Sequence, residues 1–407
     1  MKQHNTGPGF SYPNFAEQLV QWFDRAQRDL PWRWPENARD PYRVLVSEVM
    51  LQQTTVAAVV PFYQRFIARF PDVQSLAAAS LEDVLPLWAG LGYYQRARLL
   101  HRCAQTVVEQ HGGVFPRDLE QVLALPGIGR YTAGAVTSIA YDAPSPIVDA
   151  NVARVFSRVF LIEGDLKARQ PQAQLWDKAE ALMEACAAST QDELLRPSIV
   201  NPALMELGAL ICTPRAPRCP LCPVAEFCGA HATGRENELP HAVAKPQTIE
   251  LRDVCVFISR RDASARDDAS TQQEQVLLRQ RPHEAKVWWR GMWELPRLTA
   301  HENESSERES SEDAVRRLLC DELELAAESF SVDSCLRTVQ HGVTHHRITL
   351  ECWGVSLLEN AQPRNARWFP WDETADLALP SSMRRLLAWL RKHPATQGKT
   401  AQQPSLW

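Results

Sequence analysis

Cys212-Thr-Pro-Arg-Ala-Pro-Arg-Cys219-Pro-Leu-Cys222-Pro-Val-Ala-Glu-Phe-Cys228 gathers four of the chain's ten cysteines into one short loop, spaced Cys-x6-Cys-x2-Cys-x5-Cys. The other six, Cys103, Cys186, Cys255, Cys320, Cys335 and Cys352, are scattered singly. The opening MKQHNTGPGF lacks the apolar stretch of a signal peptide, so a cytoplasmic, reducing setting is expected. Thiols kept reduced and clustered this tightly point to a metal centre rather than to disulfides. Four thiolates suit either a structural zinc ion or an iron–sulfur cluster. Between the first two cysteines, Arg215 and Arg218 can offer cations to a phosphate.

Upstream of the loop the periodicity is helical. Apolar residues recur at helical spacing over 14–28, 42–52, 56–69, 93–110, 131–140, 151–161, 172–187 and 199–211. Pro, Gly or Asp marks the joins, as at Pro71, Gly90-Leu-Gly92, Gly112-Gly113, Pro126-Gly127 and Pro144 to Pro146. The reading is an all-α domain over residues 1–230. Downstream the texture changes. A polar linker over 231–249 leads to a smaller α+β domain over 250–393, with strands expected at 253–259, 275–279, 334–339 and 348–353 and helices at 312–323 and 381–391. The Ser-, Asp- and Glu-rich stretches 261–274 and 301–311 read as mobile surface loops, and 394–407 as a flexible tail.

Composition narrows the partners. In 407 residues, 45% are apolar, enough for ordinary buried cores, and the formal net charge is −5. Any nucleic acid must be held by local basic patches and backbone amides, not by a global basic field. No apolar run is long enough to cross a bilayer.

Two further segments carry chemistry. Leu125-Pro-Gly-Ile-Gly129 joins two expected helices, and its glycines allow a tight turn with close backbone approach. The helix that follows would point free N–H groups outward, a ready phosphate site. Within Asp40-Pro-Tyr-Arg-Val-Leu-Val-Ser-Glu-Val-Met-Leu-Gln-Gln-Thr-Thr55, Glu48 sits among Val44, Leu45, Val49 and Leu51. A carboxyl in that company has a raised pKa and can act as a general acid near neutral pH. Asp149, in Ile147-Val-Asp-Ala-Asn-Val-Ala-Arg154, reads as a helix N-cap, and a helix N-terminus favours its ionised form.

Together these segments resemble the endonuclease III superfamily of DNA glycosylases. The cysteine spacing is similar to its [4Fe–4S] loop, with Cys212, Cys219, Cys222 and Cys228 as ligands. Leu125–Gly129 followed by Asp149 resembles its helix-hairpin-helix and catalytic aspartate. Ser47-Glu-Val-Met-Leu-Gln-Gln-Thr54 closely resembles the MutY-type adenine glycosylases, as do Arg28-Asp-Leu-Pro-Trp-Arg33, Gly90-Leu-Gly-Tyr-Tyr94 and Met205-Glu-Leu-Gly-Ala-Leu-Ile-Cys212. The resemblance covers roughly residues 14–230 and continues more loosely to about 390.

That resemblance implies a base-excision enzyme acting on duplex DNA with adenine opposite 8-oxoguanine or guanine. It implies Glu48 as the acid that protonates adenine. Asp149, with Tyr131 and Asn151 beside it, would stabilise the sugar cation. Arg28, Leu30, Trp32 and Leu51 would form the adenine pocket, and Gln52, Gln53, Thr54, Leu91 and Tyr93 would fill or border the gap in the duplex. Gly127 and Gly129 would serve the phosphate turn. Bifunctional relatives carry a Schiff-base lysine where Gly129-Arg-Tyr-Thr132 has Tyr131, so hydrolysis without strand cleavage is expected. A bifunctional glycosylase/lyase and a non-catalytic iron–sulfur redox protein are the competing readings. One departure stands out: a Gln or Glu usual ten residues before the first cluster cysteine is Pro202 here, with Asn201 beside it as a possible substitute.

The C-terminal part resembles a MutT-like (Nudix-like) domain. Its candidate helix, Ala314-Val-Arg-Arg-Leu-Leu-Cys-Asp-Glu-Leu-Glu324, lacks the full Arg-Glu-x-x-Glu-Glu pattern, so recognition rather than nucleotide hydrolysis is implied. His341-Gly-Val-Thr-His-His346 aligns with the loop that senses 8-oxoguanine, placing Val343, Thr344 and His345 at its three positions. The terminal Gln403-Pro-Ser-Leu-Trp407 resembles a short sliding-clamp peptide, with Gln403, Leu406 and Trp407 as its contacts. The enzyme is expected to act as a monomer.

Overall fold

The structure is a computed structural model; it describes residues 10–35, 37–189, 193–242, 247–261, 274–282, 288–300, 309–358 and 360–393. The expected clamp peptide and most of the two expected mobile loops lie outside these residues. The chain divides into two compact units, residues 1–87 with 95–244, and 88–94 with 245–407. No described helix is long and apolar enough to cross a membrane.

In the first unit, helices follow one another in the order α1 (Tyr12–Ala26), α2 (Pro41–Leu51), α3 (Val56–Arg69), α4 (Val73–Ala78), α5 (Leu81–Trp88), α6 (Gln95–His111), α7 (Leu119–Leu123), α8 (Arg130–Tyr141), α9 (Ala150–Val159), α10 (Arg169–Ala188), α11 (Pro197–Leu210) and α12 (Gly229–Ala232). Local chemistry fixes many of the starts. Asp40 and Asp118 accept N–H bonds at the first turns of α2 and α7, and Ser11 does so at α1. The long helices match the periodic segments. The short helices α4 and α5 escaped that reading because six to eight residues show too little of a 3.6-residue period, whereas α7 is the helix expected before the Leu125–Gly129 turn.

The hairpin between α7 and α8 and the start of α9 are set by glycines. Gly127 has φ +76°, and a Cβ there would lie 2.6 Å from Leu99 Cβ on α6. Within α8, a Cβ on Gly134 would meet the Pro146 carbonyl oxygen at 2.3 Å, so only glycine lets the 144–148 segment run back along the helix. Helices α9 and α11 approach at Gly208, where a Cβ would lie 2.6 Å from Asn151 Cβ. A core of Phe15, Leu19, Val152, Phe156, Leu204 and Leu207, among others, joins α1, α9, α10 and α11.

The segment expected as a linker is a correction. Residues 231–240 belong to the helical unit: Leu239 is buried, its carbonyl accepts from Arg158 Nε at 2.8 Å, and Arg235 pairs with Glu163 and Glu238. A buried guanidinium needs acceptors, and this polar stretch supplies one.

The second unit is built on β1 (Ile249–Phe257), β2 (Ser259–Arg261), β3 (Glu274–Gln280), β4 (Trp293–Glu294), β5 (Arg297–Thr299), α13 (Ser311–Arg317), β6 (Phe330–Val343), β7 (His346–Leu357), β8 (Arg367–Pro370) and α14 (Ser381–Lys392). One sheet has the order β5-β1-β7-β6; in the other, β3 pairs with β2, β4 and β8. Strand β1 runs parallel to β7, and β6 and β7 form a hairpin pairing Val343 with His346. Alternation along β1 serves two cores. Val254 and Val256 pack with α13 residues Ala314 and Val315, whereas Cys255 and Phe257 pack with α14 residues Met383 and Leu387. After α13 the chain continues as one π-helical turn, Leu318–Glu322, in which Leu318 and Leu319 are core while Glu322 pairs with Arg279 at 2.6 Å.

Candidate active site

A cavity of about 800 Å³ opens in the helical unit. Arg28, Leu30, Trp32, Glu48, Leu51, Gln52, Gln53, Thr54, Tyr131, Asp149 and Asn151 all line it, so residues far apart in sequence converge on one space. No lysine is among the described residues that line it.

Glu48 lies in the middle of α2, 5% exposed, and accepts a hydrogen bond from the Tyr131 hydroxyl. Burial pushes its carboxyl up to about 7; the Tyr131 bond opposes this, Asp149 adds to it and Arg33 opposes it. Tyr131 itself is held well above its ordinary value by burial and by the two carboxylates. It is therefore a hydroxyl donor throughout the working pH range.

Asp149 is the N-cap of α9, in extended backbone. Its Oδ1 accepts from Val152 N at 2.7 Å and its Oδ2 from Asn151 Nδ2 at 2.9 Å. These bonds and the helix end favour the carboxylate, as expected. Burial nevertheless outweighs them and raises its pKa above the usual carboxylate value, which corrects the expectation of a simply stabilised anion. Asn151 is steered in turn by Arg154, whose Nη2 donates to Asn151 Oδ1 at 2.9 Å and whose Nε donates to the Cys212 carbonyl at 2.7 Å.

Segment 52–54 ends α2 in a fixed turn. Buried Arg96 donates from Nη1 to the carbonyls of Val49, Met50 and Gln52, and Gln53 takes a left-handed φ of 58°. Tyr93, also left-handed, is 46% exposed, but Leu91 is 7% exposed and buried, so its expected wedging role is not matched by exposure. At the hairpin, Gly127 and Gly129 are exposed, and Gly129 caps α8 without any side-chain acceptor for the first N–H groups. Those donors face an approaching anion.

One sequence expectation fails locally. Asn201 does not stand in for the missing polar group at Pro202. It is 1% exposed, and its Nδ2 donates to Ser138 Oγ at 2.9 Å and to the Ser145 carbonyl at 3.0 Å, while Pro202 lines the cavity. Arg218 is exposed, but its guanidinium bonds the Leu210 carbonyl at the end of α11.

Sequence reading missed Glu206 altogether. Its side chain is fully buried at the cavity wall and accepts from Arg28 N at 3.0 Å, Arg28 Nε at 2.7 Å, Arg28 Nη2 at 2.8 Å and Arg33 Nη2 at 2.9 Å. Burial pushes its carboxyl up, yet those bonds more than offset it and hold the group at about 2. The sequence showed it only as an acidic residue inside an otherwise apolar helix and as part of the Met205–Cys212 resemblance, without a role.

All four clustered cysteines are free and half-buried. Burial raises the Cys222 thiol to about 12 and the Cys219 and Cys228 thiols above their usual value, with the neighbouring thiols adding to it. Bound metal would have to displace those protons. Among the described residues, the trio of ligand atoms lying within 4.8 Å of one another is Cys219, His231 and Glu236, not any three of the four cysteines. One zinc at about 2.3 Å from each sulfur would need tighter convergence. Four free cysteines on one loop are a donor set for a structural zinc ion or an iron–sulfur cluster. Arg158, 2% exposed, donates from Nη1 to Cys212 Sγ at 3.1 Å and to the Thr213 carbonyl at 2.8 Å.

In the second unit, a small cleft of about 260 Å³ is lined by His341, Thr344, His345 and His346 with neighbouring residues. Thr344, at φ 55°, is exposed at the tip of the β6–β7 hairpin.

Residues 46–181 match the profile of the HhH-GPD superfamily of base excision DNA repair proteins, and residues 269–389 match that of the NUDIX domain. The adenine DNA glycosylase of Mus musculus is 34% identical over 419 residues, covering 93% of this chain and 78% of that protein. That of Homo sapiens is 35% identical over 419 residues, covering 91% and 73%. That of Mycolicibacterium smegmatis is 42% identical over 200 residues, covering 49% and 64%. The chain belongs to the adenine DNA glycosylase family. Glu48, hydrogen-bonded by the Tyr131 hydroxyl, and Asp149, capping α9, line the same cavity.

The raised Glu48 value also bears on stability. Folded Glu48 holds its proton to about pH 7, whereas an unfolded Glu releases it near 4.5. Its contribution to stability is therefore complete below pH 4.5 and declines as pH rises through 7, by about 1.4 kcal/mol per pH unit inside that window. Glu48→Gln escapes the decline. Its Tm, relative to the unsubstituted protein, should rise between pH 5 and pH 8 in calorimetric scans. A difference that stays flat over that range would show that Glu48 titrates as an ordinary surface carboxyl.

Proposed function

We propose that this protein removes adenine from duplex DNA where it is paired with 8-oxoguanine or guanine, hydrolysing the N-glycosidic bond without cutting the strand. The observation that carries the reading is the shared cavity of Glu48 and Asp149. A flipped adenine there receives the Glu48 proton at N7. The C1′–N9 bond then breaks with its electron pair moving into the base. Positive charge grows on the sugar, and the Asp149 carboxylate stabilises it electrostatically or captures it transiently. Water adds to C1′, and its proton returns to the Glu48 carboxylate. Tyr131 donates its hydroxyl hydrogen to Glu48 and orients it. With no lysine among the described cavity residues, no imine forms and the backbone stays intact.

The remaining roles follow from position. Arg28, Leu30, Trp32 and Leu51 surround the base, and Gln52, Gln53, Thr54 and Tyr93 serve the vacated stack. Gly127 and Gly129 hold a phosphate. Cys212, Cys219, Cys222 and Cys228 would hold a [4Fe–4S] cluster, which when bound supplies a compact charged core for the loop carrying Arg215. The exposed Thr344 hydroxyl, with His345, contacts the lesion base opposite adenine. Docking to a sliding clamp through Gln403, Leu406 and Trp407 rests on the sequence motif alone. The protein acts as a monomer.

Single-turnover excision from an A:8-oxoguanine duplex, followed by alkali and gel analysis, is the central test. Glu48→Gln should lose at least ~10²-fold in rate with duplex affinity largely retained. Asp149→Asn, which can still cap α9, should lose activity with little change in Tm. Near-normal chemistry in either variant removes that residue from its role.

Lesion sensing has its own readout. Thr344→Ala should narrow the rate preference for A:8-oxoguanine over A:G by several-fold, about what one lost hydrogen bond gives. An unchanged ratio would place recognition elsewhere.

Cofactor content is checked directly. Anaerobically purified protein should be yellow-brown with iron and sulfide bound, and replacing Cys222 with Ser should remove the colour. A colourless protein with one zinc per chain would refute the iron assignment.

A further inference from the structure

Glu206 is an expensive residue to bury, and packing alone does not call for it. Its neighbours on α11 are apolar, and its carboxylate has no solvent exposure. A hydrophobic residue of similar size often stabilises such a site as well as a buried ion pair does. Here the carboxylate gathers two guanidiniums instead. Arg28 follows directly after α1, and Arg33 ends the 3-10 turn Pro31–Arg33. Arg28 is fixed by its backbone N–H and by two side-chain nitrogens on one carboxylate, a forked geometry that leaves it little freedom. Its third nitrogen, Nη1, makes no hydrogen bond among the described residues, and Arg28 lines the cavity.

The polar groups of the cavity wall make that free nitrogen consequential. Pro202 offers no polar side chain, and Leu30, Trp32, Leu51 and Met205 are apolar. A guanidinium only donates. It can pair with the unprotonated N1 of adenine, whereas N1 of guanine carries a hydrogen.

Charge matters as well. Glu48 faces the Tyr131 hydroxyl from α8, Asp149 from the start of α9, and Arg33 from the 3-10 turn, whose charge favours loss of the Glu48 proton. Glu206 bonds both Arg33 and Arg28, so the trio carries one net positive charge rather than two.

We propose that Glu206 is a positioning residue that aims Arg28 at the flipped base and offsets the positive charge of Arg33 on Glu48, so that the acid keeps its proton. This rests on the adenine-excision reading of the same cavity. Its effect reaches the chemistry through Arg28 and Glu48.

The test uses the full chain carrying its cluster, with Glu206→Gln, Glu206→Asp and Arg33→Gln. Single-turnover rates are measured from pH 5.5 to 9 on A:8-oxoguanine duplex, and the Glu48 titration midpoint is read separately by difference infrared spectroscopy against Glu48→Gln. In Glu206→Gln the alkaline limb of the rate profile and the Glu48 midpoint should both move down by about one pH unit, with a ~10-fold rate loss at pH 8 and a smaller loss at pH 6. Glu206→Asp keeps the charge and should keep the midpoint while losing rate through a displaced Arg28. Arg33→Gln should move the midpoint upward. Should Glu206→Gln fail to fold, the lowered rate at an unmoved midpoint in Glu206→Asp, with the upward shift in Arg33→Gln, still decides the matter. A midpoint that is unmoved in Glu206→Gln, or in Arg33→Gln, overturns the proposal. Shifted midpoints in a protein that excises no adenine would uphold the electrostatic role and sink the adenine reading alone.

Discussion

Placing one ionisable carboxyl, Glu48, inside an apolar helix is the constraint around which the helical unit is arranged. Left alone at that depth the group would be neutral and inert. The structure supplies one hydroxyl donor, Tyr131, from α8, and one second carboxylate, Asp149, from the start of α9. Their opposing effects leave Glu48 poised near neutrality, where a proton can be given and taken back. Everything that fixes α8 and α9 against α2 therefore also tunes the acid.

Close backbone approach is how that fixing is achieved. Gly134 lets the chain before Asp149 lie on α8, and Gly208 lets α11 reach Asn151. With those contacts made, a line of hydrogen bonds runs from Asp149 through Asn151 and Arg154 to the carbonyl of Cys212. The cysteine loop and the Asp149 carboxylate thus share one hydrogen-bonded frame. Arg158, buried between Cys212 and the Leu239 carbonyl, extends the frame to the segment after the loop. Three buried arginines, Arg96, Arg154 and Arg158, donate to backbone carbonyls that would otherwise face an apolar core without partners.

The second unit uses different physics. Strand β1 is buried on both faces, feeding one core with α13 and another with α14. The hairpin beyond it needs little core of its own, because β6 and β7 pair along their length and expose polar residues at the tip. A left-handed Thr344 at that tip leaves its side chain at the surface. The turn Leu318–Glu322 puts Leu318 and Leu319 into the core, and Arg279 takes up Glu322.

The sequence by itself determined the local features: the long helices, the four central strands, the capped start at Asp149, and the cysteine spacing. Each depends on residues a few positions apart, so periodicity and cap chemistry are enough to read it. The buried setting of Glu48 was legible for the same reason. Tertiary structure alone decided the pairings that span the chain. Glu206 meets Arg28 across 178 positions and Tyr131 meets Glu48 across 83, and no local pattern encodes such partners. It also decided the direction of side chains beside helix irregularities: Asn201 turns into the core while Pro202 faces the cavity, because adjacent helical positions point about 100° apart. Leu91 is buried and residues 231–240 are folded for the same kind of reason, since burial depends on what distant segments bring into contact. The charge state of Asp149 is likewise a tertiary property: the sequence showed the cap that favours the anion, but only the packed structure showed the desolvation that opposes it.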